Sequence, residues 1–225
     1  AFFLVQTFLV LKGYFELVAT LGIGLGFLTL ASNLADGGGT FLLQKSLSRP
    51  SSTLISFIAA RFLSVFILCL LYFFLSQIFT PNLIIGTMLD FVYLVLIISS
   101  FNLIGVLDFY KKTNYSGPTS GLSWMSSALV IFYTYDFPPE QVAFFTSCAY
   151  TFGLLLSILV QHSQVRHKDL FKMDKVNFYD LKSEFYRTVY YNLNFVANQA
   201  YGRLLPLIVL DIFGTRLAGM FVYGK

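Results

Sequence analysis

Long apolar stretches are the feature that most limits what this chain can fold into. A helical run of about 20 apolar residues matches the hydrocarbon thickness of a bilayer, roughly 30 Å. The 225 residues are 56% hydrophobic and 12% charged, with a mean hydropathy of +0.72, so lipid is the expected solvent. We predict an all-α fold, a polytopic transmembrane helix bundle of about six to seven spans. The candidate spans are residues 13–32, 54–79, 83–107, 121–137, 141–161 and 185–213, and another is expected to open at 217.

The segments between these runs predict how consecutive helices are joined. The prolines at 80–82 and 138–139 predict two hairpins, because proline lacks the N–H that continues a helix. The start of the chain is different. Residues 1–12 are apolar but too short to span, and they enter Gly13 without room for a turn between antiparallel helices. We therefore expect a fragment that begins inside a first span and ends inside a later one.

Basic residues predict the orientation, because cytoplasmic loops retain Lys and Arg. Lys and Arg are found in the separators at 33–53, 108–116 and 162–184, whereas 80–82 has none and 136–140 is acidic. We predict that the basic separators are cytoplasmic. Their charges account for the net charge of +4 without nucleic acid as a partner.

This pattern also suggests a division of the chain. We predict a first helix bundle at 1–161, with its first span truncated, and a basic cytoplasmic loop at 162–184. The start of a second bundle is expected at 185–225.

Several residues that often carry chemistry have simpler structural explanations here. Cys69 and Cys148 lack metal-ligand or CxxC spacing and are predicted to be small buried side chains. His162 and His167 lie in a basic loop and are expected to be solvated. The glycine run at 37–39 lacks the Lys-Ser/Thr of a phosphate loop, which favours a bend between helices. No nucleophile, base and orienting group occur together, so we predict neither an enzyme nor a cofactor or metal.

Charges inside candidate spans are informative, because each costs a few kcal/mol at the bilayer centre and normally faces a cavity or a partner. Arg61 and Asp90 both lie well inside their spans. Two interpretations stay open for them, namely a polar transport pathway and a structural role in snorkelling or pairing.

The candidate span at 185–213 carries a polar and aromatic stripe. At 100° per residue its members fall within about 120° of one another. Amide side chains facing lipid lack partners, so we expect the stripe to face the bundle interior or a water-filled cleft. The alternative is interhelical hydrogen bonding, for which one or two such residues suffice. The stripe consists of Arg187, Tyr190, Tyr191, Asn194, Asn198, Tyr201 and Gly202, with Pro206 just beyond as a predicted bend.

Two stretches resemble a known family. One is GYF at 13–15 followed by NLADGGGT at 33–40 and the polar stretch to Arg49. The other is NQAYGR at 198–203 with the leucines at 204–205, then Gly214, Gly219 and Tyr223. They resemble the second and seventh helices of the Wzx-type O-antigen and capsule flippases. That family belongs to the superfamily that also contains the multidrug extruders. The stretches bracket most of the chain, whose middle is similar mainly in the spacing of its spans.

The resemblance implies an exporter of roughly twelve to fourteen helices in two bundles, with a cleft that opens alternately to each side. The implied substrate is an oligosaccharide linked to undecaprenyl pyrophosphate, carried across the bacterial inner (cytoplasmic) membrane. Membrane lipid and the polysaccharide polymerase machinery are the implied partners. Because guanidinium forks match phosphate oxygens, we expect cations to bind the pyrophosphate. The predicted substrate-binding residues are Arg61, Asp90, Arg187, Tyr191, Asn194, Asn198, Tyr201 and Arg203.

Two other functions stay open. A multidrug extruder would favour acidic residues in its cleft, for which Asp90 is the deep candidate. An integral membrane polyprenyl-sugar transferase would need clustered carboxylates or histidines in its loops. The acidic residues at 169–184 are instead interleaved with lysines, as on a solvated amphipathic segment.

Overall fold

The computed structural model describes residues 2–39, 42, 54–78, 83–165 and 178–223. Side chains are described for these residues except 54, 55, 78, 178, 200–204, 207 and 215. The regular elements in these ranges are all α-helices, which confirms the predicted fold class. They are α1 (Phe2–Leu11), α2 (Phe15–Asp36), α3 (Leu54–Ile78), α4 (Leu83–Leu89), α5 (Val92–Ser99), α6 (Ile104–Phe109), α7 (Thr113–Thr134), α8 (Pro139–Gln164) and α9 (Phe178–Tyr223).

Four helical stretches are long and apolar enough to cross a membrane, which agrees with a membrane protein. The predicted spans at 121–137 and 185–213 are helical too, in α7 and α9, but these helices are less apolar. The four stretches are Phe15–Asp36, Ser56–Gln77, Leu83–Phe109 and Pro139–Gln164.

Helix α2 lies at the centre of the bundle and contacts α1, α3, α4, α5, α8 and α9. Its glycines allow the helices to approach closely. A Cβ atom on Gly22 would overlap Val222 of α9, and one on Gly24 would overlap Met88 of α4. Helices in lipid associate mainly through van der Waals packing, so such close approach is what holds α2 in place.

Helices α7 and α8 form the predicted hairpin, with Pro138 as N-cap and Pro139 in the first turn of α8. Small residues bring the two helices together. The hydroxyl of Ser126 donates to the carbonyl of Ala149 at 2.7 Å, and a Cβ atom on Gly153 would lie 2.7 Å from a carbonyl oxygen of α7. This pair packs as a polar, small-residue interface of the kind typical of membrane helices.

The expectation that no turn fits near Gly13 is wrong. Gly13 has φ +84°, a left-handed conformation that glycine adopts without steric cost, and it lets the chain reverse within three residues. Two adjacent residues of α9 show the reversal. The Tyr223 ring stacks on Phe3 of α1 at 5.6 Å, and Val222 packs on Gly22 of α2, so residues 3 and 22 lie at the same level of the bundle. Helix α1 therefore runs back alongside α2.

The predicted span at 83–107 consists of three consecutive short helices, α4, α5 and α6. The first break is at Asp90 and Phe91, where the hydroxyl of Tyr72 donates to the freed carbonyl of Leu89 at 2.8 Å. Asp90 is exposed at this break.

Helix α9 begins at Phe178, before the predicted boundary at 185, and passes through Pro206. Its non-helical residue is Gly214, with φ 79° and ψ 177°. Asn192 contacts Leu34 of α2, and Val222 contacts Gly22 of α2. In a straight α9, residues 192 and 222 would lie roughly 45 Å apart. Their partners, residues 34 and 22, are only roughly 18 Å apart along α2, so α9 is not straight. The chain thus turns at Gly214 and comes back towards α2.

Candidate functional site

The glycine run at 37–39 ends α2 and begins the site. Gly37 has φ 55° and its N–H donates to the carbonyls of Asn33 and Leu34, which caps the helix. Gly38 is also left-handed, with φ 72°. The predicted bend between helices is confirmed at these two residues.

Each glycine of the run also lies directly under a side chain of another helix. A Cβ atom at any of the three positions would collide with that side chain, so α3 and α9 pack directly against the backbone of the glycine run. The pairs are Gly37 with the Thr188 methyl group, Gly38 with the Tyr191 ring, and Gly39 with the Arg61 guanidinium.

The Arg61 side chain is 1% exposed and fully engaged by protein groups. Its Nη2 atom forms an ion pair with the carboxylate of Asp36, and its Nε donates to the Asp36 carbonyl at 2.8 Å. Its Nη1 donates to the carbonyl of Asn102 at 2.6 Å and lies 3.4 Å from that of Ser100. Of the two interpretations that were open for Arg61, the geometry is that of structural pairing.

The carbonyls of Ser100 and Asn102 belong to the second break in the span at 83–107, which lies between α5 and α6. The break frees backbone groups that lipid cannot satisfy. Gln161, itself 1% exposed, accepts the Leu103 N–H at 2.7 Å, and the His162 ring lies 3.0 Å from the Phe101 carbonyl. With Arg61, these side chains of α3 and α8 replace the missing helical bonds. His162 is partly exposed, as expected of a solvated residue, but its ring also contacts the break; His167 lies outside the described residues.

On the other side of the glycine run, α9 forms a wall of a groove of about 350 Å³. The groove gathers four of the predicted site residues and one further member of the stripe. From Arg187 to Asn198 it follows α9 for roughly 16 Å. Its lining residues are Leu42, Arg187, Tyr190, Tyr191, Asn194, Phe195 and Asn198.

The groove combines exposed amides, aromatic rings and one cation. Asn194 and Asn198 are exposed, and the Tyr191 ring stacks parallel to Phe195 with centroids 6.2 Å apart. Arg187 is 27% exposed, and its Nη1 donates to the buried carboxylate of Glu184 at 2.9 Å. Five members of the stripe predicted from periodicity therefore line an accessible groove with mixed polar and apolar walls.

The other predicted site residues lie elsewhere. Arg61 is buried beneath Gly39, and Asp90 lies at the break between α4 and α5. The backbone of Tyr201 and Arg203 belongs to α9, and their side chains are outside the described ones. Their roles stay predictions.

The groove lies at the basic end of the bundle. Lys112 donates to the Gln164 carbonyl at 2.6 Å, at the C-terminus of α8, whereas Asp136 precedes that helix and accepts from Tyr14 at 2.9 Å. The loop with Lys111 and Lys112 and the loop with Asp136 thus lie at opposite ends of the bundle. The glycine run, which touches Tyr191 in the groove, belongs to the lysine end.

No family model, curated protein or solved structure matches the chain. Its function is inferred from the groove and its surroundings.

Proposed function

We propose that the groove on α9 carries the saccharide of a lipid-linked oligosaccharide across the bacterial cytoplasmic membrane by alternating access. One observation supports this above the others. Five members of the polar and aromatic stripe line a single groove in a chain that has helices long and apolar enough to span a membrane. Packing between helices needs one or two polar residues, not a row of them along an accessible groove.

The lining suits a sugar. Hydroxyl-rich molecules cannot enter hydrocarbon unaided, because desolvating each hydroxyl without a partner is costly. The amides of Asn194 and Asn198 each offer donors and an acceptor, so they can replace the water around sugar hydroxyls. The Tyr190 and Tyr191 rings offer apolar faces on which sugar rings stack. The prenyl tail would stay in the surrounding lipid.

Arg187 is the cation of this groove. A guanidinium has five N–H donors, and its planar fork matches phosphate oxygens. The bond to Glu184 uses Nη1 and fixes the side chain, which supports contact between the remaining donors and the pyrophosphate. An extruder of cationic drugs is less well supported, because Arg187 is the charged residue among those that line the groove.

Replacing groove asparagines by leucine tests the proposal. Asn194→Leu and Asn198→Leu should each lower export of the lipid-linked sugar by about twofold to tenfold, the value of one hydrogen bond of about 0.5–1.5 kcal/mol. Export is measured in cells or proteoliposomes and divided by the amount of protein in the membrane.

Gln199→Leu is the matched control, since it makes the same amide-to-leucine change next to Asn198 at a position that does not line the groove. It should export normally. Wild-type export by the Asn194→Leu and Asn198→Leu double variant would remove the groove from the transport path.

A further inference from the structure

Beside the groove, α9 carries three buried oxygen-bearing side chains. Glu184, Thr188 and Asn192 are 3%, 0% and 8% exposed. They are spaced four residues apart, so they form one row along the helix. The row packs against the C-terminal turn of α2, where Thr188 touches Gly37.

Two oxygen atoms of this row have no hydrogen-bond partner among the residues that the structure describes, namely Thr188 Oγ1 and Asn192 Oδ1. The orientation of the Asn192 amide is fixed, because its Nδ2 donates to the Leu34 carbonyl at 3.0 Å and lies 3.4 Å from Ser64 Oγ. Turning the amide over would bring its oxygen against the Leu34 oxygen. A buried polar atom without a partner requires an explanation, and a bound water or ion is one.

The electrostatic surroundings favour a positive occupant. The row meets the negative end of the α2 dipole, where the carbonyls of Leu34 and Asp36 accept from Asn192 and Arg61 and still carry partial negative charge. The two nearby guanidinium groups are already paired, Arg187 with Glu184 and Arg61 with Asp36. Neither guanidinium bonds the Thr188 or the Asn192 oxygen atom.

We propose that Thr188 Oγ1 and Asn192 Oδ1 bind a small monovalent cation such as Na⁺ at the end of α2. Hard cations take oxygen ligands, and helix C-termini and carbonyls are used for Na⁺ in membrane proteins. A transition metal is disfavoured, because no group of three or more His, Cys, Asp and Glu side chains exists in the described parts of the chain. The site joins α2, α3 and α9 and does not depend on what the groove carries.

Cation binding is tested on the full chain in detergent at constant ionic strength. NaCl, but not choline chloride, should raise the Tm in a saturable way. The expected shift is roughly 5 °C at a hundredfold excess over the dissociation constant. Radioactive ²²Na⁺ should bind the wild-type protein. Absence of both effects in the wild type would overturn the site and leave water as the occupant.

Variants locate the site. Thr188→Val keeps the shape of the side chain and removes the oxygen, so it should lose the Na⁺-dependent shift and the bound ²²Na⁺, whereas Thr188→Ser should retain them. Thr146→Val is the matched control, because Thr146 on α8 is also 0% exposed with an unpartnered Oγ1 among described residues, away from α9. Na⁺ binding by Thr188→Val at wild-type strength would exclude this site. Export through the groove is read separately, so the two proposals fail independently.

Discussion

Replacing Arg61 by leucine should destabilise the whole bundle. The substitution removes the cation that pairs with the partly buried Asp36 carboxylate, which keeps the Asn102 amide as a donor at 2.9 Å, and it frees the carbonyls of Asn102 and Ser100. Removing one partner of a buried ion pair costs about 3–5 kcal/mol. That is a large part of a typical unfolding free energy of about 5–15 kcal/mol, so Arg61→Leu should reduce the folded protein in the membrane.

The measurement is the fraction of protein that stays monodisperse in detergent after heating, compared with its abundance in the membrane. Arg61→Lys should be intermediate, because a single ammonium group keeps the charge but cannot reach the acceptors on both α2 and the break between α5 and α6. Removing Asp36 as well, in Arg61→Leu with Asp36→Leu, should recover part of the loss, since no uncompensated charge remains.

One result would refute this account of Arg61. If Arg61→Leu is as abundant and heat-stable as the wild type but exports no lipid-linked sugar, its guanidinium contacts the substrate and not the break between α5 and α6. The pyrophosphate role predicted from the sequence would then be the better explanation.

Two further predictions concern the opposite end of the bundle. The hydrogen bond to Asp136 is the main cause that raises the pKa of Tyr14 above its ordinary 10.0, so the contact stabilises the fold below about pH 10 and is lost as the pH rises further. Tyr14→Phe should remove this loss of stability at alkaline pH, measured as the Tm from about pH 8 to 11. An unchanged dependence of the Tm on pH would contradict it. Cysteines placed at Asp136 should be labelled from outside intact cells, whereas cysteines at Lys111 should be protected; the reverse pattern would invert the orientation.

The class of fold and the position of the groove could be predicted because both depend on local periodicity. Apolar runs of bilayer length gave the helices, and the 3.6-residue period brought Arg187, Tyr191, Asn194 and Asn198 to one face before any partner was known. The hairpin at Pro138 and Pro139 follows from a missing backbone donor, which is again a local property.

The remaining features depend on residues far apart in the sequence. The break between α5 and α6 contains no proline, and it is stabilised by side chains of other helices: Arg61 donates to the Asn102 carbonyl, and Gln161 accepts from the Leu103 N–H. The apolar sequence of this span does not indicate the break. The turn at Gly13 was missed for a related reason, since one left-handed glycine between two apolar helices looks the same in sequence as a glycine inside a long helix.

The break between α5 and α6 also has a consequence for the order in which the protein is made. Backbone groups without partners are not tolerated in hydrocarbon, so this span cannot reach its final shape alone. Arg61 precedes the break in the chain, but Gln161 and His162 leave the ribosome only after it, as the last part of α8. The span must therefore wait in another conformation, and it matures only when a hairpin synthesised later docks beside it.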